Sequence, residues 1–259
     1  MSVHLDALAD EVFSAAAAQA LGQGEGKRLP YGEVLRNPRY PDLFFLNGIS
    51  ELRAPGWTGA DLDHALREHL PGIEHLRLTS RDPVTIAGLG PALVEAGYEA
   101  DIRVAMVQVS PLDEVRATDL EIHQVETDGD WRAFEQLTVE GGLEHGWSGA
   151  MIAQLKRLYR WQAENQPQSW LLGLSSGEAV AHAGLYQHGT VGYFHALYTR
   201  PSFRRRGAGS LLLYGAGRLA RAAGCERLTL QCSRDSSLPA YYHALGFRWV
   251  GEMSVWIRS

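Results

Sequence analysis

The sequence predicts an α/β protein built in two parts, the second closing on the same run of elements as the first. Two patterns carry this reading. Stretches that alternate apolar and polar residues, such as "VGYFHALYT" (191–199) and "EAVAHAGLYQ" (178–187), lie between stretches with apolar residues every three or four positions. A short signature also recurs, because "LVEAGY" (93–98) stands in the first part where "YHALGF" (242–247) stands in the second.

In the first part, residues 4–21 read as a helix, ended by the glycines of "GQGEGK". Pro30, Pro38, Pro41 and Pro55 then punctuate short extended pieces, of which "DLFFLNGI" (42–49) is the clearest strand. Thr58 caps a helix whose face carries Leu62, Leu66 and Leu70. "HLRLTS" (75–80) is a strand, "IAGLGPALVEAGY" (86–98) a helix and "DIRVAMVQV" (101–109) a strand. The order is β-α-β-α-β.

The second part opens with the strand "DLEIHQV" (119–125) and a helix "DWRAFEQLTVE" (130–140), capped by Asp128 or Asp130. A loop "GGLEHGWSG" (141–149) leads to a helix over 150–166, with Leu155, Leu158 and Tyr159 as its buried stripe and Pro167 as its stop. Strands "SWLLGLS" (169–175) and "EAVAHAGLYQ" join through the turn "SSGE". The strand 191–199, a helix to Ala223, the strand "RLTLQCS" (227–233), a helix over 238–247 and a strand ending at Trp256 complete it. Its last five elements match the five of the first part, a half-duplication.

At 259 residues, 45% apolar and 21% charged, the chain has the composition of a globular protein with a sizeable core. Its 24 basic against 30 acidic residues give a net charge of −6, which argues against nucleic acid as the main partner. Cys225 and Cys232 are too few for a disulfide framework, and no metal-ligand spacing occurs. The apolar run Val12–Ala18 is too short to span a bilayer, so a cytoplasmic protein without a membrane partner is expected.

Against that acidic background, "TRPSFRRRGAGSLLL" (199–213) concentrates three arginines and a glycine pair before an apolar helix. Gly207 and Gly209 free the backbone to approach a ligand, the helix adds its positive end, and arginine adds charge-assisted bonds to phosphate. The stretch reads as a cradle for one small anion. A dinucleotide fingerprint fails, because six residues separate Arg200 from Gly207 and Leu212 stands where glycine or alanine belongs. A P-loop fails at "GQGEGKR", one residue short and with Arg28 in place of Ser or Thr. "GLSSG" (173–177) fits a hydrolase elbow, but a strand rather than a helix follows it, so Ser175 and Ser176 read as a hairpin turn.

"LYTRPSFRRRGAGSLLL" resembles the acetyl-CoA-binding motif of the general N-acetyltransferase (GNAT) superfamily, R/Q-x-x-G-x-G/A after a strand. "DSSLPAYYHALGF" (235–247) resembles the second motif of that family. The resemblance implies a GNAT fold, a mixed and mostly antiparallel sheet flanked by helices, in tandem: a degenerate copy over 1–114 and a catalytic domain over 115–259. It implies acetyl transfer from acetyl-CoA to a primary amine of a small molecule or peptide, by direct attack in a ternary complex. A non-catalytic coenzyme A-binding module is the alternative. By position, Leu197, Tyr198 and Thr199 hold the acetyl-pantetheine arm, while Arg204, Arg205, Arg206, Gly207, Ala208 and Gly209 cradle the pyrophosphate. Tyr242 takes the place of the general acid, with its neighbour Tyr241 as the competing core or catalytic phenol. Glu140, Glu144, His145 and His195 are candidate bases, as is a water relay. His195 is expected to share side-chain parity with Leu197 and Thr199. The usual asparagine of the second motif is replaced by Asp235.

Overall fold

The computed structural model describes residues 2–21, 24–110 and 119–259. A helix α1 (Ser2–Leu21) precedes the hairpin β1 (Glu25–Leu29) and β2 (Gly32–Arg36). After a short 3-10 turn come β3 (Gly48–Ser50), α2 (Gly59–His69), β4 (Leu76–Ser80), α3 (Pro83–Glu95) and β5 (Glu99–Gln108). The second half runs β6 (Leu120–Gln124), α4 (Asp128–Glu144), α5 (Gly149–Asn165), β7 (Gln168–Ser175), β8 (Glu178–His188) and β9 (Val191–Thr199). It ends with α6 (Ala208–Ala222), β10 (Arg227–Ser233), α7 (Leu238–Ala244) and β11 (Phe247–Arg258).

All strands form one 11-stranded sheet in the order β1-β2-β3-β4-β11-β5-β10-β9-β8-β7-β6. The expected repeat is present in the pairing. β3 runs parallel to β4 and β9 parallel to β10, each pair joined by a crossover helix. The last strand of each half has then changed places. β5 leaves the first half to pair antiparallel with β10, and β11 leaves the second to pair antiparallel with β4. The two travelling strands lie side by side and pair with each other from Phe247↔Gln108 to Ile257↔Glu99. Ser80-Arg81-Asp82 and Ser233-Arg234-Asp235 mark equivalent strand ends, a second repeated signature that the sequence carries.

Alternation along the central strands separates two layers. Val104 and Met106 pack with Leu212, Leu213 and Ala216 of α6, whereas Ala105 and Val107 pack with Val12 and Phe13 of α1. Trp256 of β11 likewise faces Leu62 and Leu66 of α2 and Leu89 and Leu93 of α3, while Val255 faces α1. Thus α2, α3, α6 and α7 cover one face. The other carries α1, α4 and α5, the last two closing over Trp170 and Leu172.

Several expectations are corrected. "DLFFLNGI" is not one strand: Phe44–Leu46 form a 3-10 turn before β3. The buried Asn47 imposes the turn, donating to the carbonyls of Tyr40 at 3.1 Å and Leu43 at 3.2 Å and accepting from the Asn37 amide at 2.7 Å. The cap of α4 is Thr127, and Asp130 closes its capping box from the third helical position. That helix continues through "GGLE" to Glu144, because its glycines are packing sites. A Cβ on Gly141 would lie 3.0 Å from the Tyr198 ring, and one on Gly142 2.6 Å from Ile152. The last strand reaches Arg258 rather than Trp256. The "SSGE" turn is a hairpin as expected, with Ser176 at φ 50° and Gly177 at φ 81°. The boundary expected at 114/115 lies outside the described residues.

The exchange makes each half incomplete alone, since β10 without β5 presents an open edge. Residues 119–259 expressed alone should be aggregated or oligomeric by light scattering, and co-expression with residues 1–110 should restore a soluble complex. A monomeric 119–259 fragment with cooperative unfolding would contradict this.

Candidate active site

The site is organised by a break in β9. Its pairing with β10 runs from Val191 only to Phe194, opposite Leu230, so residues 195–199 diverge from that neighbour. On its other side the register with β8 slips, from Gly184↔His195 to His182↔Tyr198, and Ala196 takes φ 51°. A left-handed alanine costs about 1–2 kcal/mol, so packing must hold this bulge in place. The His182 ring lies against this bulge, 5.8 Å from the Tyr198 ring, and its buried Nδ1 has no partner. The bulge removes the expected shared parity: His195, Ala196 and Tyr198 face α4 and α5, whereas Leu197 packs toward α6.

Beyond the break the chain enters the arginine–glycine stretch. A 3-10 turn (Pro201–Phe203) precedes Arg205 at φ 61° and Gly207 at φ 91°. Gly207 is the N-cap of α6 and offers no side-chain acceptor, so the first amides of that helix stay available to an external anion. Gly209 is needed for a close approach, since a Cβ there would sit 3.2 Å from the Tyr241 hydroxyl and 3.4 Å from Leu197. Arg206 stacks over Phe203 at 5.3 Å. Arg204 donates to the Thr199 carbonyl at 3.0 Å and pairs with Glu144 at 2.6 Å. Behind it Arg200 ties the end of β9 to α4 and β8 through Glu140, at 2.7 Å, and Glu178.

The equivalent helix of the first half is built differently. Thr58 and Asp61 close a capping box on α2, with Thr58 Oγ1 accepting from the Asp61 amide at 3.4 Å and Asp61 accepting from the Thr58 amide at 2.8 Å. A carboxylate of the chain itself already occupies that helix start, and no arginine–glycine stretch precedes it.

A cleft is lined by Glu144, Leu197, Thr199, Arg204, Gly207 and Tyr241; Arg205, Ala208 and Gly209 also line it, whereas Arg206 does not. Glu144 sits at its arginine side, bound to Arg204. The two tyrosines of α7 diverge as adjacent helical positions must. Tyr241 lines the cleft, its hydroxyl 2.9 Å from Ser210 Oγ. Tyr242 is 5% exposed, its ring in the α6 core and its phenol in the field of Cys232 on β10 and Tyr193 on β9. Burial pushes its pKa well up, so it stays protonated. Asp235 is exposed and paired with Arg234 at 3.0 Å, outside the residues lining the cleft.

His195 lies on the opposite face. Its Nε2 is 3.0 Å from Gln168 Oε1, and burial lowers its pKa to about 3. There it lines a cavity of about 530 Å³ whose walls come from both halves: Arg53, Arg77 and Arg81 from the first, Tyr193 and Gln231 from the second. Tyr159 lines both this cavity and a small one under α4, which shares Leu197 and Tyr198 with the cleft. The three spaces therefore adjoin around the bulge of β9. The contribution of the first half to this region had no counterpart in the sequence reading, because Arg77 looked like one more strand residue.

Across 96% of its length the chain is similar in fold to a GCN5-related N-acetyltransferase from Kribbella flavida, at 18% identity over 95% of that chain with TM-score 0.63. A functionally unknown conserved protein from Staphylococcus epidermidis is similar over 91% of this chain and 94% of its own, at 13% identity and TM-score 0.73. A Drosophila protein aligns with 100% of this chain and 96% of its own, at 15% identity and TM-score 0.59. No curated protein matches the sequence. Residues 138–247 match the acetyltransferase (GNAT) family, so this part of the chain is a GNAT acetyltransferase domain.

His182 offers a test of the bulge. Burial lowers its pKa to about 4, against an unfolded value near 6.5. The neutral ring therefore supports the fold fully above about pH 6.5, and that support drains away as pH falls toward 4. Urea unfolding at pH 7, 6 and 5 should show a loss approaching about 1.4 kcal/mol per pH unit from this group. His182→Asn should flatten the profile by that amount, and superimposable profiles would refute a buried neutral ring.

Proposed function

We propose that the protein transfers the acetyl group of acetyl-CoA to a primary amine, by direct attack within a ternary complex. The observation that carries this reading is the pairing of a diverged strand end with an uncapped helix start. Backbone groups of Leu197, Tyr198 and Thr199, freed on the β10 side, suit the amide-rich pantetheine arm. Arg204, Arg205, Arg206 and the amides from Gly207 to Gly209 suit its pyrophosphate, with Glu144 releasing Arg204 as the stronger anion arrives. The catalytic unit is the half from 115 to 259, and the half from 1 to 114 is a copy that lacks a coenzyme cradle. No described helix is long and apolar enough to cross a membrane. The unpaired buried thiols of Cys225 and Cys232 suit a reducing cytoplasm.

Tyr242 is the proposed general acid. Its buried phenol keeps its proton and would donate it to the thiolate that departs as the amide forms. The amine loses its proton in the same sequence. His195, held neutral by burial, accepts a hydrogen bond there more readily than it holds a proton, and water carries the proton away.

Isothermal titration should give about one acetyl-CoA site per chain, since α2 is already capped; two similar sites would overturn the degenerate-copy reading. Gly207→Glu should weaken binding at least tenfold, through loss of charge-assisted bonds of about 1.5–3 kcal/mol each. Tyr242→Phe should lower turnover by roughly 10²–10⁴ while leaving coenzyme affinity near wild type. A larger loss in Tyr241→Phe would move the acid to the cleft-lining phenol.

A further inference from the structure

The cavity between the halves has an uneven charge balance. Arg81 is satisfied by Glu51 at 3.0 Å and Asp10 at 2.6 Å. Arg28 and Glu33 face each other across the β1–β2 hairpin. Arg53 reaches solvent. Arg77 is different. Its half-buried guanidinium lines the cavity, reaches only the Phe45 carbonyl at 3.4 Å, and has no carboxylate partner among the described residues. Burial pushes its pKa down to about 10, the mark of a cation held without a counter-ion. A cation drawn partly out of water without a counter-ion is costly unless a ligand completes it.

A second donor on the same cavity is also unsatisfied. Gln231 lies on β10 two residues beyond Thr229, the partner of Tyr193, and so at the point where β9 has just diverged. Its Nε2 is buried and has no hydrogen-bond partner. Arg77 also lies within the field of the Tyr193 phenol, whose pKa burial raises to about 12, so that hydroxyl remains a donor. A guanidinium fork, an amide NH₂ and a phenol O–H converge on one space, and they match the two oxygens of a carboxylate. The acetyl group would emerge on this face, beside His195, and about 530 Å³ accommodates a whole amino acid.

Resting on the acetyl-transfer reading, we propose that the acceptor is a primary amine that also bears a carboxylate, with Arg77 and Gln231 binding the carboxylate. The first half of the chain would then set acceptor specificity, because Arg77 belongs to β4.

The test compares amines that differ only in this group: L-alanine and L-phenylalanine against their amides, with acetyl-CoA and detection of free thiol. Wild type should favour the free acids by about a hundredfold in kcat/KM, as expected for losing one buried charged pair. Arg77→Gln should raise KM for the acids by a similar factor, leave kcat and acetyl-CoA affinity nearly unchanged, and leave the amides unaffected. Gln231→Leu, which removes only the amide, serves if Arg77→Gln fails to fold by circular dichroism, and should cut the preference about tenfold. Amides used as well as acids, with no change in either variant, would overturn the proposal. If no amine is acetylated although acetyl-CoA binds, the transfer reading fails instead. The subsite is then judged by calorimetric titration of the coenzyme A complex with N-acetyl-L-alanine. Binding that Arg77→Gln or Gln231→Leu weakens supports it, and no binding at millimolar concentration refutes it.

Discussion

The antiparallel pairing of β5 with β11 is the interaction on which the rest of the structure depends. These two strands come from different halves, and each lies between two strands of the other half, β5 between β11 and β10 and β11 between β4 and β5. Through them the two parallel crossovers become one sheet, and α1 finds a continuous apolar surface of Ala105, Val107, Val250, Met253 and Val255 to cover. Gly251, at the irregularity in the β5–β11 ladder, lets α1 settle there, since a Cβ at that position would meet Ala9 at 2.6 Å. The cavity between the halves exists because this seam fixes β4 and β10 at equal distance on either side.

Upon that frame the site is made by withholding partners. β9 gives up its pairing with β10 after Phe194, and α6 begins without a side-chain cap. Each omission leaves backbone donors without a partner from the chain, and each is held open by neighbours. The bulge at Ala196 is braced by His182, and Arg200 anchors the strand end between two carboxylates. The comparison with α2 shows the alternative outcome. There Thr58 and Asp61 cap each other's amides and place a carboxylate at the helix start.

Much of this could be read from residues in order. The alternation of 191–199 and 227–233 returned strands with those very limits, and the glycine of the cradle announced its positive φ. What failed to show were facts of neighbourhood. Period-two patterning marks β5 and β11 as strands but carries no information on which strand each will join. Gly141 and Gly142 read as a loop because glycine disfavours helix, whereas the Tyr198 ring and Ile152 require their small size within one. The bulge had no glycine to betray it, so the facing of His195 was misjudged. Arg77 looked like a polar position on an alternating strand, and only the assembled sheet shows it on the cavity wall without a carboxylate partner.

The exchanged strands also bear on how the chain comes off the ribosome. β4, at residues 76–80, takes its second neighbour from residues 254–258, which are synthesised long after it. The first half therefore emerges with a strand edge that nothing yet made can cover, and it waits through the translation of the whole second half. Loop closure over such a separation is slow, and the open edge invites pairing with other nascent chains. Joining of the two halves thus waits on one late step, insertion of β11 between β4 and β5.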